Sequence, residues 1–271
     1  MRFDLCVITL TSNLTTDLSG LKHMSSSMDR YLPKHTPLFV FNEGNLGSFK
    51  LKMKRDVFYP TVQFHDPQNI PYIWSKRSKY GYLHMIKFFF ADIFHHTAMK
   101  ACNYYMRLDT DSCLLGPLPT SLMKNIKQES HAYIANDKIT DCGPYVQDLS
   151  KHVTQFQKTQ NISADLSYMT DKCVGGYFNN FEIVHLNTFR QSKTHNQFTD
   201  FILNSNGIYL HRWGDAILRR LDLDMMMVTN STITINLAKH YGIQYKHECS
   251  IHPRPLVFRK GKLVPIGPPI G

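Results

Sequence analysis

Asn103-Tyr104-Tyr105-Met106-Arg107-Leu108-Asp109-Thr110-Asp111-Ser112 is the stretch whose reading decides the architecture. Tyr104 to Leu108 is short, apolar and aromatic, the composition of a buried strand with one arginine near its end. The strand runs into two carboxylates spaced i, i+2, followed by Ser112 and, after three more residues, Gly116-Pro117. At the carboxyl edge of a sheet such a pair can hold a hard divalent cation whose other positions face a diphosphate. That is the arrangement a nucleotide-sugar transferase requires. With 17 Asp in 271 residues, chance alone supplies roughly one D-x-D, so the motif needs its context. A second copy, Asp222-Leu223-Asp224, trails the helix-like Arg219-Arg220 segment and is read as structural.

Length and composition bound the rest. A chain of 271 residues can bury a sizeable core, and with no clear linker or internal repeat it reads as one α/β domain over residues 1–271. Seventeen Phe and 14 Tyr exclude a disordered chain. The formal charge of +10 points to an anionic partner. Because the Lys and Arg are dispersed, a local anion pocket is favoured and nucleic acid is not expected. The six cysteines (6, 102, 113, 142, 173 and 249) contain no C-x-x-C. They predict free, buried thiols and a reducing compartment. Met1-Arg2-Phe3-Asp4 begins neither a signal peptide nor a transmembrane segment, and the expectation is a soluble cytoplasmic protein.

Along the chain, Leu5 to Leu10 reads as a buried strand. Thr11-Ser12 follows at the first strand-to-loop junction, where α/β proteins commonly meet a nucleotide. A helix is predicted from Asp17 to Tyr31, strands at 37–41 and 57–64, and one long helix from Tyr80 to Met99. Residues 131–135 and 177–184 read as strands, with Gly175-Gly176 as a break and 136–172 as short helices and loops. Helices are expected over 189–204 and 214–221, and a Pro/Gly-rich tail wrapping the surface from residue 253. Strand, helix, strand at this spacing argues for parallel pairing.

Three segments resemble the fungal Golgi α-1,2-mannosyltransferases. Tyr82-Leu83-His84-Met85-Ile86-Lys87-Phe88-Phe89 is similar to the family's Y-R-H-M-C-R-F-F and leads to Tyr104-Tyr105-Met106-Arg107-Leu108-Asp109-Thr110-Asp111, similar to Y-Y-W-R-V-E-P-D. Asn180-Phe181-Glu182-Ile183, with Phe189-Arg190, resembles S-N-F-E-I-G-D-L-x-F-F-R. Arg212-Trp213-Gly214-Asp215-Ala216 matches R-W-G-D-A, and Gly242 to His247 resembles I-G-Y-x-H. Order and approximate spacing hold from about residue 4 to 253. The first acid of the pair is Asp109 where the family has Glu, and Thr110 replaces its Pro. An anchor and stem like the family's are not expected before the first strand, and Golgi-lumen residence would require an anchor outside this chain.

The resemblance implies a Rossmann-like GT-A fold with a mixed central sheet, and a retaining transfer of mannose from GDP-mannose to a glycan or glycoprotein hydroxyl. It also implies Mn²⁺ (or Mg²⁺) held by Asp109, Asp111 and His247. Arg107, Thr11 and Ser12 are the candidate donor-phosphate contacts. Tyr82 and Glu182 are the candidate catalytic residues, and Arg212, Trp213 and Asp215 the candidate acceptor contacts. Bland alternatives stand beside several: Asp215 as a helix cap, Tyr82 as core, Glu182 as a salt-bridge partner of Arg212. A UDP-sugar donor, and a non-catalytic sugar- or nucleotide-binding protein on the same fold, are the alternative functions.

Overall fold

The computed structural model describes residues 2–65, 80–229, 234–249, 256–259 and 262–265. The chain opens with β1 (Phe3–Leu10), α1 (Thr15–Tyr31), β2 (Leu38–Phe41) and β3 (Val57–Phe58). Helix α2 (Tyr80–Lys87) then leads through a π-helical turn, Phe88–Asp92, toward β4 (Cys102–Leu108) and the short β5 (Cys113–Leu114). There follow α3 (Leu122–Gln128), β6 (His131–Cys142), α4 (Leu149–Gln160) and β7 (Cys173–His185). Four helices succeed one another next: α5 (Leu186–Gln191), α6 (Lys193–Asn204), α7 (Gly207–His211) and α8 (Asp215–Thr229). Strands β8 (Thr234–Leu237) and β9 (Tyr245–Lys246) come last before a hairpin of Leu256–Arg259 with Lys262–Pro265. The surface-wrapping tail expected from residue 253 lies, apart from this hairpin, outside the described residues.

Seven strands form one mixed sheet in the order β3-β2-β1-β4-β7-β6-β8. β3, β2, β1 and β4 run parallel, and β7 is antiparallel to β4, pairing Arg107 with Glu182 and Leu108 with Phe181. Because β7 runs the other way, its first half lies beside the carboxyl ends of β1 and β4. Alternation sorts the side chains of β4 between two faces. Tyr104, Met106 and Leu108 pack with Leu21, Met24 and Met28 of α1, while Tyr105 joins Phe88, Phe89 and Phe94 on the opposite face. A third apolar cluster, around Phe156, Phe198 and Trp213, lies among α4, α6 and the residues before α8.

Several expectations are corrected in detail. The single helix predicted for 80–99 is α-helical, then π-helical over Phe88–Asp92, then α again for Ile93–His95, with a 3₁₀ segment at Thr97–Ala101. Three successive phenylalanines, Phe88 to Phe90, are all buried, which one α-helical stripe cannot achieve. The wider π turn spreads them over two clusters, each ring contributing about 1.5–3 kcal/mol by its burial. Gly175-Gly176 does not break β7 but lies within it. A Cβ on Gly176 would stand 2.8 Å from the carbonyl oxygen of Ala216, so the glycine is where α8 crosses the strand. The predicted helix 189–204 is interrupted at Ser192, whose side chain caps α6 by accepting from the His195 N–H. Helix α8 is longer than expected and contains Asp222 and Asp224, which bond inside the fold to His195 and Tyr168.

The thiol expectation is overturned. All six cysteines are paired, as Cys6–Cys102, Cys113–Cys249 and Cys142–Cys173. Spacing in the sequence could not give this, because the bridges join residues 96, 136 and 31 positions apart that only the fold makes neighbours. Among the described residues no helix is long and apolar enough to cross a membrane.

Candidate functional site

The carboxyl ends of β1 and β4 and the first half of β7 surround a cavity of about 460 Å³. Leu10, Arg107, Asp109 and Asp111 line it from the parallel strands and their loop, and Phe178, Asn179 and Asn180 from β7. Tyr82 and Phe89 line it from the helical segment, Asp141 from the end of β6, and Arg212 and Asp215 from the entry to α8. His247, just after β9, completes the wall. Four carboxylates face two guanidinium groups, a formal excess of two negative charges in a chain whose net charge is +10. A diphosphate entering such a space needs a cation with it.

Arg107 organises the floor. It is 2 % exposed, donates from Nε to Asp109 Oδ1 at 2.7 Å and from Nη1 to Asp215 Oδ2 at 2.5 Å, and lies over the Phe89 ring at 3.6 Å. Burial by itself would pull its pKa down, but Asp109 and Asp215 more than reverse this, and it stays charged. The fixed positive charge expected near the phosphates is thus already paired with two carboxylates. Period two along the strand places Arg107 and Asp109 on the same face, so their pairing follows from the strand itself. Burial pushes the Asp109 carboxyl up, against the pull of Arg107.

Asp109 also accepts from Asn180 Nδ2 at 2.9 Å, so both of its oxygens are taken. Asp111 is different. Its Oδ1 lies 3.3 Å from His247 Nδ1, with side-chain exposures of 37 % and 30 %, and both groups are open to the cavity. Phe178 meets the His247 ring edge to face at 5.8 Å and limits its rotation. Among the described residues no three His, Cys, Asp or Glu side chains are grouped to hold a metal ion. The expected trio of Asp109, Asp111 and His247 is thus a pair beside a carboxylate already engaged elsewhere. The pair still fits a divalent cation: carboxylate oxygen with imidazole nitrogen suits Mn²⁺, and an excess of negative charge surrounds it.

The remaining sequence candidates divide. Tyr82 and Arg212 meet at the rim, where the Arg212 guanidinium lies between the Tyr82 ring (4.6 Å) and the Tyr145 ring (4.4 Å). Asp215 is 6 % exposed and is fixed by Arg107 and by Asn179 Nδ2 at 3.0 Å. Trp213 is fully buried, packs in the third cluster and donates from Nε1 to the Gln147 carbonyl. It presents nothing to an acceptor. Thr11 and Ser12 follow β1 but do not line the cavity, and Ser12 spends its hydroxyl on Asp17 and the Leu14 N–H.

Glu182 lies beneath the cavity floor. It is 0 % exposed, accepts from the Tyr105 hydroxyl at 2.7 Å and stands 3.7 Å from Arg219 Nε. Its ionic neighbour is Arg219, not Arg212, and burial pushes its carboxyl up. The carboxylate that reaches the cavity from this corner is Asp215. Sequence reading missed Asp141, Asn179 and Asn180. Asp141 fell in a segment read as short helices and loops, Asn179 was legible only as part of a strand, and Asn180 stood in the matched N-F-E-I segment without a role.

Residues 63–260 match the family model described as glycolipid 2-alpha-mannosyltransferase. The probable mannosyltransferase MNT3 of Candida albicans is 21 % identical over 201 residues, covering 68 % of this chain and 52 % of the relative. The probable mannosyltransferase KTR3 of Saccharomyces cerevisiae is 26 % identical over 159 residues, covering 55 % of this chain and 38 % of that protein. The chain thus spans about half or less of the length of these relatives. Among solved structures, core-mannan synthase A (CmsA/Ktr4) of Aspergillus fumigatus in its Mn/GDP form aligns with a TM-score of 0.77 at 17 % identity, over 98 % of this chain and 81 % of that one. Ktr4p of S. cerevisiae in complex with GDP aligns with a TM-score of 0.75 at 18 % identity, over 90 % and 71 %. By the family model that matches most of its length, the chain belongs to the glycolipid 2-alpha-mannosyltransferase family.

Proposed function

We propose that this chain is a metal-dependent retaining glycosyltransferase that moves mannose from GDP-mannose to a hydroxyl of a glycan or glycoprotein. The observation that carries the reading is the Asp111–His247 pair, 3.3 Å apart and open to an acidic cavity at the carboxyl ends of the parallel strands. Support comes from the family, and from fold relatives solved with GDP and with Mn/GDP.

In this reading Asp111 and His247 hold the cation, and Asp109 joins them only by giving up Asn180. Mn²⁺ bound there would neutralise the charge that develops on the departing nucleoside diphosphate. Asp215, held rigidly by Arg107 and Asn179, orients the acceptor hydroxyl near the anomeric carbon and stabilises positive charge developing on the sugar. Tyr82 and the stacked Arg212 guide the acceptor at the rim, where the rings on both sides of the guanidinium fix it in place. Glu182 acts from below, holding Tyr105 and balancing Arg219. With every cysteine paired, the working compartment is an oxidising lumen such as that of the secretory pathway.

The test is a transfer and hydrolysis screen of nucleotide sugars with Mn²⁺ or chelator, followed by proton NMR of the product anomer. GDP-mannose should be consumed only with metal, and the new linkage should be α. Turnover of UDP-sugars in its place would move the donor assignment. Binding without any turnover would leave a lectin-like protein on this fold.

A further inference from the structure

The two groups that face each other across the proposed cation position come from segments 136 residues apart in the sequence. What brings them together is small. β5 and β9 are two residues each and pair antiparallel, Cys113 with Lys246 and Leu114 with Tyr245. A ladder this short does not hold itself in water. Two residues beyond Asp111, Cys113 is bridged to Cys249, two residues beyond His247. The Cys249 N–H donates to the Asp111 carbonyl at 2.7 Å. Between His247 and Cys249, Glu248 adopts a left-handed backbone with φ of 60°, unfavoured for a residue with a side chain. That turn lets the imidazole point to Asp111 while the next residue but one reaches Cys113.

We propose that the Cys113–Cys249 disulfide is the positioning element of the cation site, so that Asp111 and His247 form a preassembled pair only while that bond is intact. The proposal rests on the reading of these two residues as the cation's ligands. Closing so long a loop removes most of the freedom His247 would otherwise have relative to Asp111. Ser112 Oγ, 2.8 Å from the Tyr245 hydroxyl, and the Phe178 ring then set the orientation of groups the bridge has already made neighbours. The other two bridges have different tasks. Cys6–Cys102 is fully buried between β1 and β4, and Cys142–Cys173 closes the end of the β6–β7 ladder.

The experiment measures Mn²⁺ binding in the presence of GDP by the loss of the free-ion electron paramagnetic resonance signal. It compares the wild type with the double variants Cys113→Ala/Cys249→Ala and Cys142→Ala/Cys173→Ala. The first pair should weaken Mn²⁺ binding at least about tenfold, and the second should leave it within about twofold. Should the first variant not fold, mild reduction and alkylation of the folded Cys142→Ala/Cys173→Ala protein gives the same comparison. That treatment reaches the partly exposed Cys113 and Cys249 and spares the buried Cys6–Cys102. Unchanged Mn²⁺ affinity after loss of Cys113–Cys249 would overturn the inference alone. A wild type that takes up no Mn²⁺ with GDP would overturn the cation reading, and the inference with it.

Discussion

Arg107 and Asp215, 108 residues apart, share a hydrogen bond of 2.5 Å at the floor of the cavity. The bond ties the end of β4 to the first residue of α8, and Asp109 holds the same guanidinium from the other side. Neutralising Asp215 leaves Arg107 with one carboxylate instead of two, in a place it cannot leave. Asp215→Asn should lower stability by about 1–3 kcal/mol and turnover by about 10²–10³, with GDP affinity little changed. Calorimetry, steady-state kinetics and GDP titration check the three parts. Near-normal turnover would remove Asp215 from the reacting centre.

Glu182 gives a different pattern because it has no surface in the cavity. Glu182→Gln keeps an acceptor for the Tyr105 hydroxyl but loses the ionic partner of Arg219. A fall in Tm corresponding to about 1–3 kcal/mol is expected, with turnover per folded molecule reduced less than about tenfold. The pH dependence distinguishes this from a generic loss. Burial raises the Glu182 carboxyl pKa in the folded state, so the folded chain holds that proton to higher pH than the unfolded chain does. The contribution of Glu182 is therefore most favourable at acid pH and diminishes as pH rises through the carboxylate range. The stability gap between wild type and variant should narrow from pH 4 toward neutrality; a gap that widens contradicts the raised carboxyl.

Gly176 is the contact point between β7 and α8. A methyl group there meets the Ala216 carbonyl oxygen at 2.8 Å and the Ile217 nitrogen at 2.9 Å, backbone atoms that cannot turn aside. Gly176→Ala should cost about 1–3 kcal/mol and, by moving the start of α8, also reduce turnover through Asp215. An unaltered melting temperature would mean that the helix shifts freely.

Trp213 separates packing from recognition. Trp213→Phe removes the indole donor to the Gln147 carbonyl and some core volume, for a loss of about 1–3 kcal/mol. Acceptor KM should stay within about twofold, because the ring is covered on all sides. A large rise in acceptor KM would return this residue to the acceptor site.

Much of this arrangement is written into Tyr104–Asp111. A period-two strand ending in acids, followed by a turn, suffices to place a sheet edge and a polar loop. The partner across the cavity, His247, was found by its match to a motif. What stayed hidden depends on contacts between distant segments. Six cysteines allow fifteen pairings, and nothing in their spacing selects the one observed. Whether Asp109 is free or occupied turns on Asn180, which β7 presents only because it runs antiparallel to β4. The Arg212-Trp213-Gly214-Asp215 run looked like one recognition patch. Left-handed backbone at Arg212 (φ 61°) instead sends neighbours in different directions, the arginine to the rim and the indole into the core. Asp141 was illegible because β6 continues, through 136–142, beyond the apolar run that announced it.

That extension of β6 pairs with β7 through Cys142–Cys173 and is closed there by the disulfide. Asp141 projects from the closed end into the cavity, so one wall is a braced ribbon and not a loop. A wall stiffened during folding has no further motion to surrender when a ligand arrives. Sugar affinity there is not diminished by ordering the protein, and a sugar of the wrong outline meets a boundary that does not yield, while the Asp111–His247 pair lies outside that ribbon.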